Sequence, residues 1–302
     1  MNTFFLDRLN SEPHALAFAG QSTPWPVALA DQSANPALDE ALHTHAAAAQ
    51  ALLYPVSAEL LATTGRPVDL FGFEPNPARL GAAAAASASV PGIALTQLGA
   101  LLDAAALGYN PAQAKPVVVL GHSQGVLAVH MVQAICEAGS IDAAAAKIDE
   151  ILAIATLIGV AGTRQARQLG LAARHGEATP MLSVKDITRA QVDALIERVD
   201  GARGPIAVAV TNSATHYVLS GYPEDLAAFG VEVAKEHKRQ AKLREEKVRG
   251  GRVFGPTLEY LDVTLPFHSP LMADAVSQAV AWAEACGINA DHARELAAEV
   301  LL

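Results

Sequence analysis

Apolar residues in the first half of the chain form short runs separated by longer segments with helical spacing. Ala15 to Gly20 is a short apolar run that predicts a buried strand followed by a loop. Lys115 to Leu120 is apolar and β-branched after its lysine, as expected of a central parallel strand. Helices are predicted over residues 37–65, 91–105, 126–137 and 143–169. This alternation predicts a doubly wound α/β domain.

The pattern changes after Pro180, where strands and helices follow each other in a different order. Strands are predicted over 181–185, 206–211, 216–220 and 261–266, with helices over 188–199 and 224–242, the first of them capped by Thr188. The order β-α-β-β-α-β is that of a ferredoxin-like unit. We therefore predict an α/β fold with an α/β-hydrolase-like parallel-sheet core, residues 1–178 and 266–302. A ferredoxin-like subdomain, residues 179–265, is inserted into that core.

Composition and charge narrow the class of protein. The 302 residues are 51% apolar and 17% charged, which is ample for a packed core and unlike a disordered chain. The formal net charge of −10 argues against nucleic acid as a partner. We see neither an N-terminal signal pattern nor an apolar run approaching the ~18 residues of a membrane helix. We therefore expect a cytoplasmic protein with no membrane partner.

The cysteines and the last residues give two smaller expectations. Cys136 and Cys286 stand far apart without metal-like spacing, which predicts small buried side chains in a reducing compartment and no metal site. The sequence stops as Leu296 to Leu302 begins to look like a new element. On that ground we expect it to be part of a longer polypeptide.

The segment Gly121-His122-Ser123-Gln124-Gly125 carries the clearest chemical signal. Gly-x-Ser-x-Gly between an apolar strand and a helix is the nucleophile elbow, a strained turn that exposes a serine hydroxyl. The following helix N-terminus supplies N–H groups and a positive dipole end, which stabilise an oxyanion. The pattern predicts an acyl-transfer enzyme with Ser123 as nucleophile. An ordinary strand-to-helix turn with a buried serine is the alternative.

A serine nucleophile needs a base, and the chain has ten histidines. His268 follows a predicted strand on a loop held by Pro266 and Pro270, where a rigid scaffold would present a base. A capping role before the next helix is the alternative. His122 is adjacent to the serine, so its side chain should point elsewhere, in a structural or substrate-side role. The other histidines lie in polar, turn or helical contexts that predict surface or packing roles.

Several motifs together resemble the acyl-carrier-protein transacylases. They are Gly-His-Ser-Gln-Gly at 121–125, Pro-Phe-His at 266–268, Ala-Gly-Gln at 19–21, and Asn212 followed by Val-Leu-Ser-Gly at 218–221. Together with Leu-Ile-Gly at 157–159 and Lys-Val-Arg-Gly-Gly at 247–251, these motifs especially resemble the N-terminal acetyltransferase domain of the bacterial type I fatty acid synthases of mycobacteria and corynebacteria.

The resemblance implies a dyad of Ser123 and His268 and a ping-pong reaction. Ser123 would take an acyl group from a coenzyme A thioester and pass it to the phosphopantetheine thiol of an acyl carrier protein. No covalently bound cofactor is implied. The resemblance also implies oxyanion donors at the backbone N–H groups of Gln124 and Gln21, and a substrate-side role for Asn212 beneath the catalytic histidine. The implied partners are the carrier protein and the other domains of the synthase.

Ile158 restricts which acyl group the enzyme would accept. It precedes Gly159 on the second helix after the elbow. Malonyl-specific members of the family have an Arg-Gly pair there, whose guanidinium grips the free carboxylate. Isoleucine cannot pair a carboxylate, and burying that charge unpaired would cost several kcal/mol. Ile158 therefore favours acetyl, with an ordinary core role as the alternative. Arg164, six residues further on, should face another side of the helix.

Other functions and one charged segment stay open at this point. The alternatives are malonyl or palmitoyl transfer, a serine thioesterase or hydrolase, and a docking module with a vestigial site. In simple α/β-hydrolases the catalytic residues usually follow each other along the chain as Ser, then Asp or Glu, then His, and an inserted unit of this kind is lacking.

Eight of the 21 basic residues fall between Lys235 and Arg252. They predict a solvated helix and loop, or contacts with coenzyme A phosphates, the acidic carrier protein or neighbouring domains.

Overall fold

The protein divides into two compact units in a computed structural model that describes residues 8–20, 24–70, 86–171, 178–245 and 254–302. Unit 1 comprises Met1–Arg164 with Ala275–Val300, and unit 2 comprises Gln165–Asp274 with Leu301–Leu302. Unit 2 is longer at both ends than the insertion predicted as residues 179–265. The assignment of that insertion as a domain stays a prediction.

Unit 1 is built from two parallel strands and a surrounding set of helices. Strand β1 pairs with β2 in parallel, with Ala15 opposite Val118 and Phe18 opposite Gly121. Its elements are β1 (Ala15–Phe18), α1 (Trp25–Ser33), α2 (Pro36–Leu52), α3 (Ser57–Thr64), α4 (Ala86–Ala106), the helical turn α5 (Pro111–Ala114), β2 (Val118–Gly121), α6 (Val126–Ala138), most of α7 (Ala145–Gln168), most of α10 (Ala273–Ala285) and most of α11 (Ala290–Leu301). The parallel pairing and the helices between the strands follow the predicted α/β pattern.

The prediction that Lys115 to Leu120 forms a buried central strand is wrong in two respects. The strand begins at Val118, and within the described parts of the chain it pairs with β1 alone. Val117 is 66% exposed, Val118 43% and Leu120 57%. A run of apolar β-branched residues indicates that a strand needs cover on both faces, but burial depends on neighbouring strands that such a run does not specify.

Helix α4 is the buried centre of unit 1. Its residues from Ser87 to Gly99 are almost all buried, and small residues allow close packing: a Cβ on Gly92 would lie 2.5 Å from the Trp25 ring. We expected no segment long and apolar enough for a membrane helix, but α4 meets that criterion by length and composition. In the structure 72% of its most apolar window is buried inside the protein, as in a core helix.

Unit 2 contains a four-stranded antiparallel sheet covered on one face by helices. Its elements are β3 (Met181–Lys185), α8 (Arg189–Ile196), β4 (Ala207–Ser213), β5 (His216–Ser220), α9 (Pro223–Glu245) and β6 (Thr257–Tyr260). The strand order β4-β5-β3-β6 is the order of a ferredoxin-like unit. Thr188 caps α8 through a capping box with Gln191, as the sequence predicts.

One strand of unit 2 does not lie where the sequence predicts it. The alternating apolar residues 261–266 are not a strand; β6 lies earlier, at Thr257–Tyr260. Leu261 donates one more N–H bond to Met181 on β3, and Val263 then bonds back to the carbonyl of Leu261, which turns the chain out of the sheet. Val263 and Leu265 are buried outside the sheet, so their alternation reports burial without strand pairing.

The cysteines differ from expectation, whereas the described part of the basic segment is the exposed helix that the sequence predicts. Cys136 is exposed and Cys286 is partly exposed, so neither is the buried side chain predicted. In the basic run, Lys235 pairs with Glu232 and Arg239 with Glu236 on the same helix face. The segment 246–253 lies outside the described residues.

We expect Glu236 to stabilise the folded protein. Its side chain is 8% exposed, and its carboxylate accepts hydrogen bonds from Arg239, Gln240 and Arg198. These bonds, with that of Arg239 the largest, hold its pKa at about 2. A pKa below the unfolded value means that the stabilisation is full above about pH 4.5 and is lost as the pH falls towards 2. The arginines are about half exposed, so we expect Glu236→Gln to lower the free energy of unfolding by about 1–2 kcal/mol at pH 7.

Urea unfolding of wild type and variant between pH 7 and pH 3 checks this expectation. The difference between them should shrink as the pH falls below 4.5. Glu232→Gln, which removes a carboxylate of the same helix bound to Lys235, is the matched control and should change stability by less than about 0.5 kcal/mol. A Glu236→Gln effect that is constant across this pH range contradicts the assignment.

Candidate active site

The serine elbow forms where the sequence predicts it, between β2 and α6. Ser123 opens a short 3₁₀ turn, Ser123–Gly125, that leads directly into the helix. Its φ is +52°, in the left-handed region that residues with a Cβ rarely adopt. His122 donates its N–H to the carbonyl of Phe18 at 2.9 Å, and Gly125 donates to the carbonyl of His122 at 3.0 Å. These bonds fix the turn to the end of β1.

The two glycines of the motif are required by close backbone contacts. A Cβ on Gly121 would lie 2.5 Å from the backbone of Gly125, and a Cβ on Gly125 would lie 2.3 Å from the carbonyl oxygen of Phe18. Gly20, at the end of β1, meets the elbow in the same way: its Cβ would lie 2.5 Å from the carbonyl oxygen of His122 and 3.0 Å from the Cβ of Ser123. Three glycines therefore bring two strands' ends into direct contact around the serine.

The structure describes one of the two predicted oxyanion donors, the backbone N–H of Gln124. The side chain of Gln124 is completely buried, and its backbone N–H lies in the 3₁₀ turn at the start of α6. A Cβ on Gly20 would lie 3.3 Å from that nitrogen. The other predicted donor, Gln21, lies outside the described residues. Backbone N–H groups at the start of a helix and the positive end of its dipole can stabilise an oxyanion formed near Ser123.

His268 lies in unit 2 on a loop that is firmly packed around it. Phe267 is 2% exposed and Ser269 is fully buried, while His268 between them is partly exposed. Ser269 caps the 3₁₀ turn Pro270–Met272 through its Oγ, and its N–H donates to the carbonyl of Leu301 at 3.4 Å. Ser269 therefore fills the capping role at this 3₁₀ turn.

The backbone conformation of His268 resembles that of Ser123. Its φ is +55°, and the described residues contain four non-glycine positions with positive φ: Lys115, Ser123, Asp186 and His268. Such conformations cost of order 1–3 kcal/mol each and concentrate at functional sites. Two of the four are the residues predicted as nucleophile and base.

The surroundings of Ile158, Arg164 and His122 are described, and the roles predicted for them stay predictions. Ile158 is completely buried in α7, and Gly159 lies against the start of α4, where a Cβ would be 2.4 Å from the carbonyl oxygen of Ala86. Arg164 donates to Gln278 and lies 5.9 Å from the ring of Trp282. His122 is exposed.

Asn212 lies beside His216, and its expected place beneath His268 stays a prediction. Its Nδ2 is 3.5 Å from Nε2 of His216, which is also 3.1 Å from the hydroxyl of Ser183 on β3. This Ser–His pair was not anticipated from the sequence, since its members are 33 residues apart without a motif. Ser183 is 3% exposed in the middle of an extended strand, which lacks the elbow and helix N-terminus that activate a serine.

Most remaining histidines make structural hydrogen bonds, as their contexts predict. His14 bonds to Tyr109, His45 to Asp149 at 2.6 Å, His130 to Glu299, His237 to the carbonyl of Phe254, and His292 to Glu150. His175 lies outside the described residues. His130, Glu295 and Glu299 have donor atoms within 4.8 Å of one another and could hold a metal ion, although both glutamates are exposed. No metal site was expected from the sequence.

Comparisons with known proteins connect this geometry to a class of protein. Residues 180–260 match the family model of the fatty acid synthase central AT domain. The chain is 27% identical over 179 residues to fatty acid synthase beta subunit hexB of Dothistroma septosporum, covering 54% of this chain and 9% of that protein. It is 26% identical over 209 residues to fatty acid synthase subunit beta of Schizosaccharomyces pombe, covering 62% of this chain and 10% of that protein. The chain thus spans about a tenth of the length of these relatives.

Solved structures agree on the fold. The malonyl-CoA:acyl carrier protein transacylase of Xanthomonas oryzae superposes with a TM-score of 0.56 at 18% identity, over 95% of this chain and 79% of that one. The corresponding enzyme of Coxiella burnetii gives a TM-score of 0.55 at 18% identity, over 96% and 79%. The fold resembles that of the acyl carrier protein transacylases, and residues 180–260 match the fatty acid synthase central AT domain. The relatives named are fungal beta subunits, so the narrower resemblance to a bacterial acetyltransferase stays a prediction.

Proposed function

We propose that this chain is an acyltransferase domain of a fatty acid synthase that moves an acetyl group from acetyl-CoA to an acyl carrier protein. The observation that carries the proposal is Ser123 at φ +52° on a glycine-bounded turn between a parallel strand and a helix N-terminus. A strained serine of this kind presents its hydroxyl where helix N–H groups stabilise a tetrahedral oxyanion. The acyltransferase-type fold is consistent with that chemistry.

The proposed reaction has two balanced half-reactions. His268 takes the hydroxyl proton of Ser123 while the oxygen attacks the thioester carbonyl, and collapse of the tetrahedral intermediate breaks the C–S bond. The proton passes to the departing coenzyme A thiolate, which leaves acyl-Ser123. The phosphopantetheine thiol of the carrier protein then gives its proton to His268 and attacks the ester carbonyl. Collapse of this second tetrahedral intermediate breaks the C–O bond to Ser123, whose oxygen takes the proton back from His268, and leaves the acyl group as a thioester on the carrier protein. The backbone N–H of Gln124 stabilises both oxyanions.

Acetyl is the proposed acyl group because Ile158 is fully buried and aliphatic. A malonyl carboxylate beside it would be desolvated without a counter-charge from that position. Arg164, one candidate to supply that charge, is hydrogen-bonded to Gln278 and faces Trp282. Malonyl transfer is the alternative that the fold supports equally. The proposed partners are the carrier protein and the other synthase domains, and the proposed location is the cytoplasm.

Labelling with acyl-CoA tests this proposal. The chain is incubated with radiolabelled acetyl-CoA or malonyl-CoA, and then with a phosphopantetheinylated acyl carrier protein. We expect an acetyl-enzyme ester that transfers to the carrier protein, with a kcat/KM for acetyl-CoA at least about 10-fold above that for malonyl-CoA, equivalent to ~1.4 kcal/mol. Preferential malonyl labelling refutes the acetyl assignment. Release of the acyl group to water, with no transfer to the carrier protein, refutes transferase function in favour of a thioesterase.

A further inference from the structure

Gln97 on the buried helix α4 makes a contact that no sequence motif announces. Its side chain is 7% exposed, and its Nε2 donates a 2.6 Å hydrogen bond to the carbonyl oxygen of Ala19. Its Oε1 is buried and has no hydrogen-bond partner among the described residues. Ala19 is the residue between β1 and Gly20, which itself contacts the serine elbow.

The hydrogen bond from Gln97 is connected to the elbow through the backbone of Ala19 and its neighbours Phe18 and Gly20. Gly125 of the elbow lies against Phe18 and Ala19: a Cβ there would be 2.3 Å from the carbonyl oxygen of Phe18 and 3.0 Å from that of Ala19. Gly20 lies against the other side, close to Ser123 and to the backbone nitrogen of Gln124. Rotation of the Ala19 peptide would move the backbone that packs against both the nucleophile and the predicted oxyanion donor.

Helix α4 also contacts the chain beyond this segment. The ring of Trp25 lies where a Cβ on Gly92 would be, at 2.5 Å, and Trp25 is 4% exposed. Gln97 and Gly92 are thus two points on one buried helix, of which the first binds the carbonyl of Ala19 and the second packs against Trp25. A rigid supporting element of this kind is what a preorganised site requires.

Stability alone gives a poor reason for a glutamine at position 97. A buried amide with one satisfied and one orphaned half carries the desolvation cost of the bond that is not made, which an aliphatic side chain would avoid. The remaining helix face around it is apolar or small. Fixing the direction of the Ala19 carbonyl is a function that an aliphatic residue could not perform.

We propose that Gln97 is a positioning residue of the acyl-transfer site, which holds the Ala19–Gly20 backbone against Ser123 and Gln124. The assignment rests on the proposed function of the elbow. Gln97 does not touch the reacting atoms; it acts through the Ala19 carbonyl. Its loss should slow the chemical step, in which the oxyanion forms, and leave substrate affinity almost unchanged.

Gln32 offers a matched control in the same unit. Its Nε2 donates to the carbonyl of Thr96 on α4 at 2.9 Å, and its Oε1 is likewise buried without a partner in the described parts of the chain. It packs against Gly99, where a Cβ would lie 2.4 Å from Oε1. Gln32 on α1 and Gln97 on α4 therefore share residue type and bond type, and both bonds involve α4, but of the two only that of Gln97 ends at the residue preceding Gly20.

The test compares Gln97→Met and Gln32→Met in single-turnover acylation by acetyl-CoA and by malonyl-CoA. We expect Gln97→Met to lower the limiting acylation rate about 10- to 100-fold, with the half-saturating concentration within threefold of wild type. Gln32→Met should keep its rate within twofold. If Gln97→Met does not fold, Gln97→Asn keeps the polarity and shortens the reach, and should show the same separation of rate from affinity.

A second readout separates this inference from the proposed function. A fluorophosphonate probe labels an activated serine without requiring an acyl-CoA substrate, and its labelling rate should fall at least about 10-fold in Gln97→Met only. If wild type forms no acyl-enzyme but still reacts with the probe, the transferase proposal fails while the role of Gln97 is still decided. Probe and acylation rates within twofold of wild type in Gln97→Met, or an equal loss in Gln32→Met, overturn the role of Gln97.

Discussion

Replacing Ser123 by alanine is expected to abolish acyl-enzyme formation and to lower the transfer rate by at least about 10⁴-fold. Alanine has a Cβ and would occupy the same φ of +52° with similar strain, so the turn itself should survive. Only the attacking oxygen is removed. Intact-mass spectrometry after incubation with acetyl-CoA should show the added acetyl group on the wild type and its absence from the variant.

Ser183→Ala is the sharpest control for that result, since Ser183 and His216 form a Ser–His pair at 3.1 Å. Ser183 lies in the extended strand β3 and is 3% exposed, whereas Ser123 opens the turn that leads into α6. We expect Ser183→Ala to keep acylation within about threefold of wild type. Loss of the acyl-enzyme in Ser183→Ala, with retention in Ser123→Ala, would move the nucleophile to β3 and end the present assignment.

The elbow could be predicted from sequence because everything that creates it is local. A strand, two glycines four positions apart and a helix are sufficient to define the turn around Ser123, and the structure confirms that turn. The glycines at 121 and 125 are needed because backbone atoms approach within 2.3 to 2.5 Å of where a Cβ would be. Capping of α8 by Thr188 is equally local and was predicted for the same reason.

Features that depend on distant neighbours could not be predicted in this way. The composition of β2 indicates burial, but its exposure is decided by which strands lie beside it. The alternation of Val263 and Leu265 resembles a strand, yet a turn after Leu261 takes them out of the sheet. A pattern of apolar residues reports that side chains are covered, and several backbone conformations satisfy it equally.

Gln97 illustrates the same limit within the candidate site. A single polar residue in an apolar helix carries no motif, and its partner Ala19 lies 78 positions earlier. The signal that could have drawn attention to it is the cost of burying an amide where an aliphatic residue would pack as well. His268 is predicted as the base because two prolines and an adjacent predicted strand mark its loop. The strand itself ends earlier, at Tyr260.

Replacing His268 by asparagine is expected to lower the acyl-transfer rate by about 10³-fold while leaving the fold intact. A general base contributes roughly 10²- to 10⁴-fold, and a serine hydroxyl is a weak nucleophile without one. Asparagine tolerates the left-handed conformation better than most residues, so it should keep the φ of +55° that alanine would hold less well. Single-turnover acylation, with melting temperature measured alongside, separates lost chemistry from lost folding.

The comparison with other histidines decides whether the loss belongs to His268. His216→Asn removes the partner of Ser183 and Asn212, and His122→Asn changes the residue next to the nucleophile; both should keep the rate within about tenfold. Added imidazole should restore part of the activity of a His268→Gly variant, since a small base can enter the space left by the ring and accept the proton from Ser123. Absence of a rate defect in His268→Asn, together with a large defect in either control, would show that the base acting on Ser123 lies on another element.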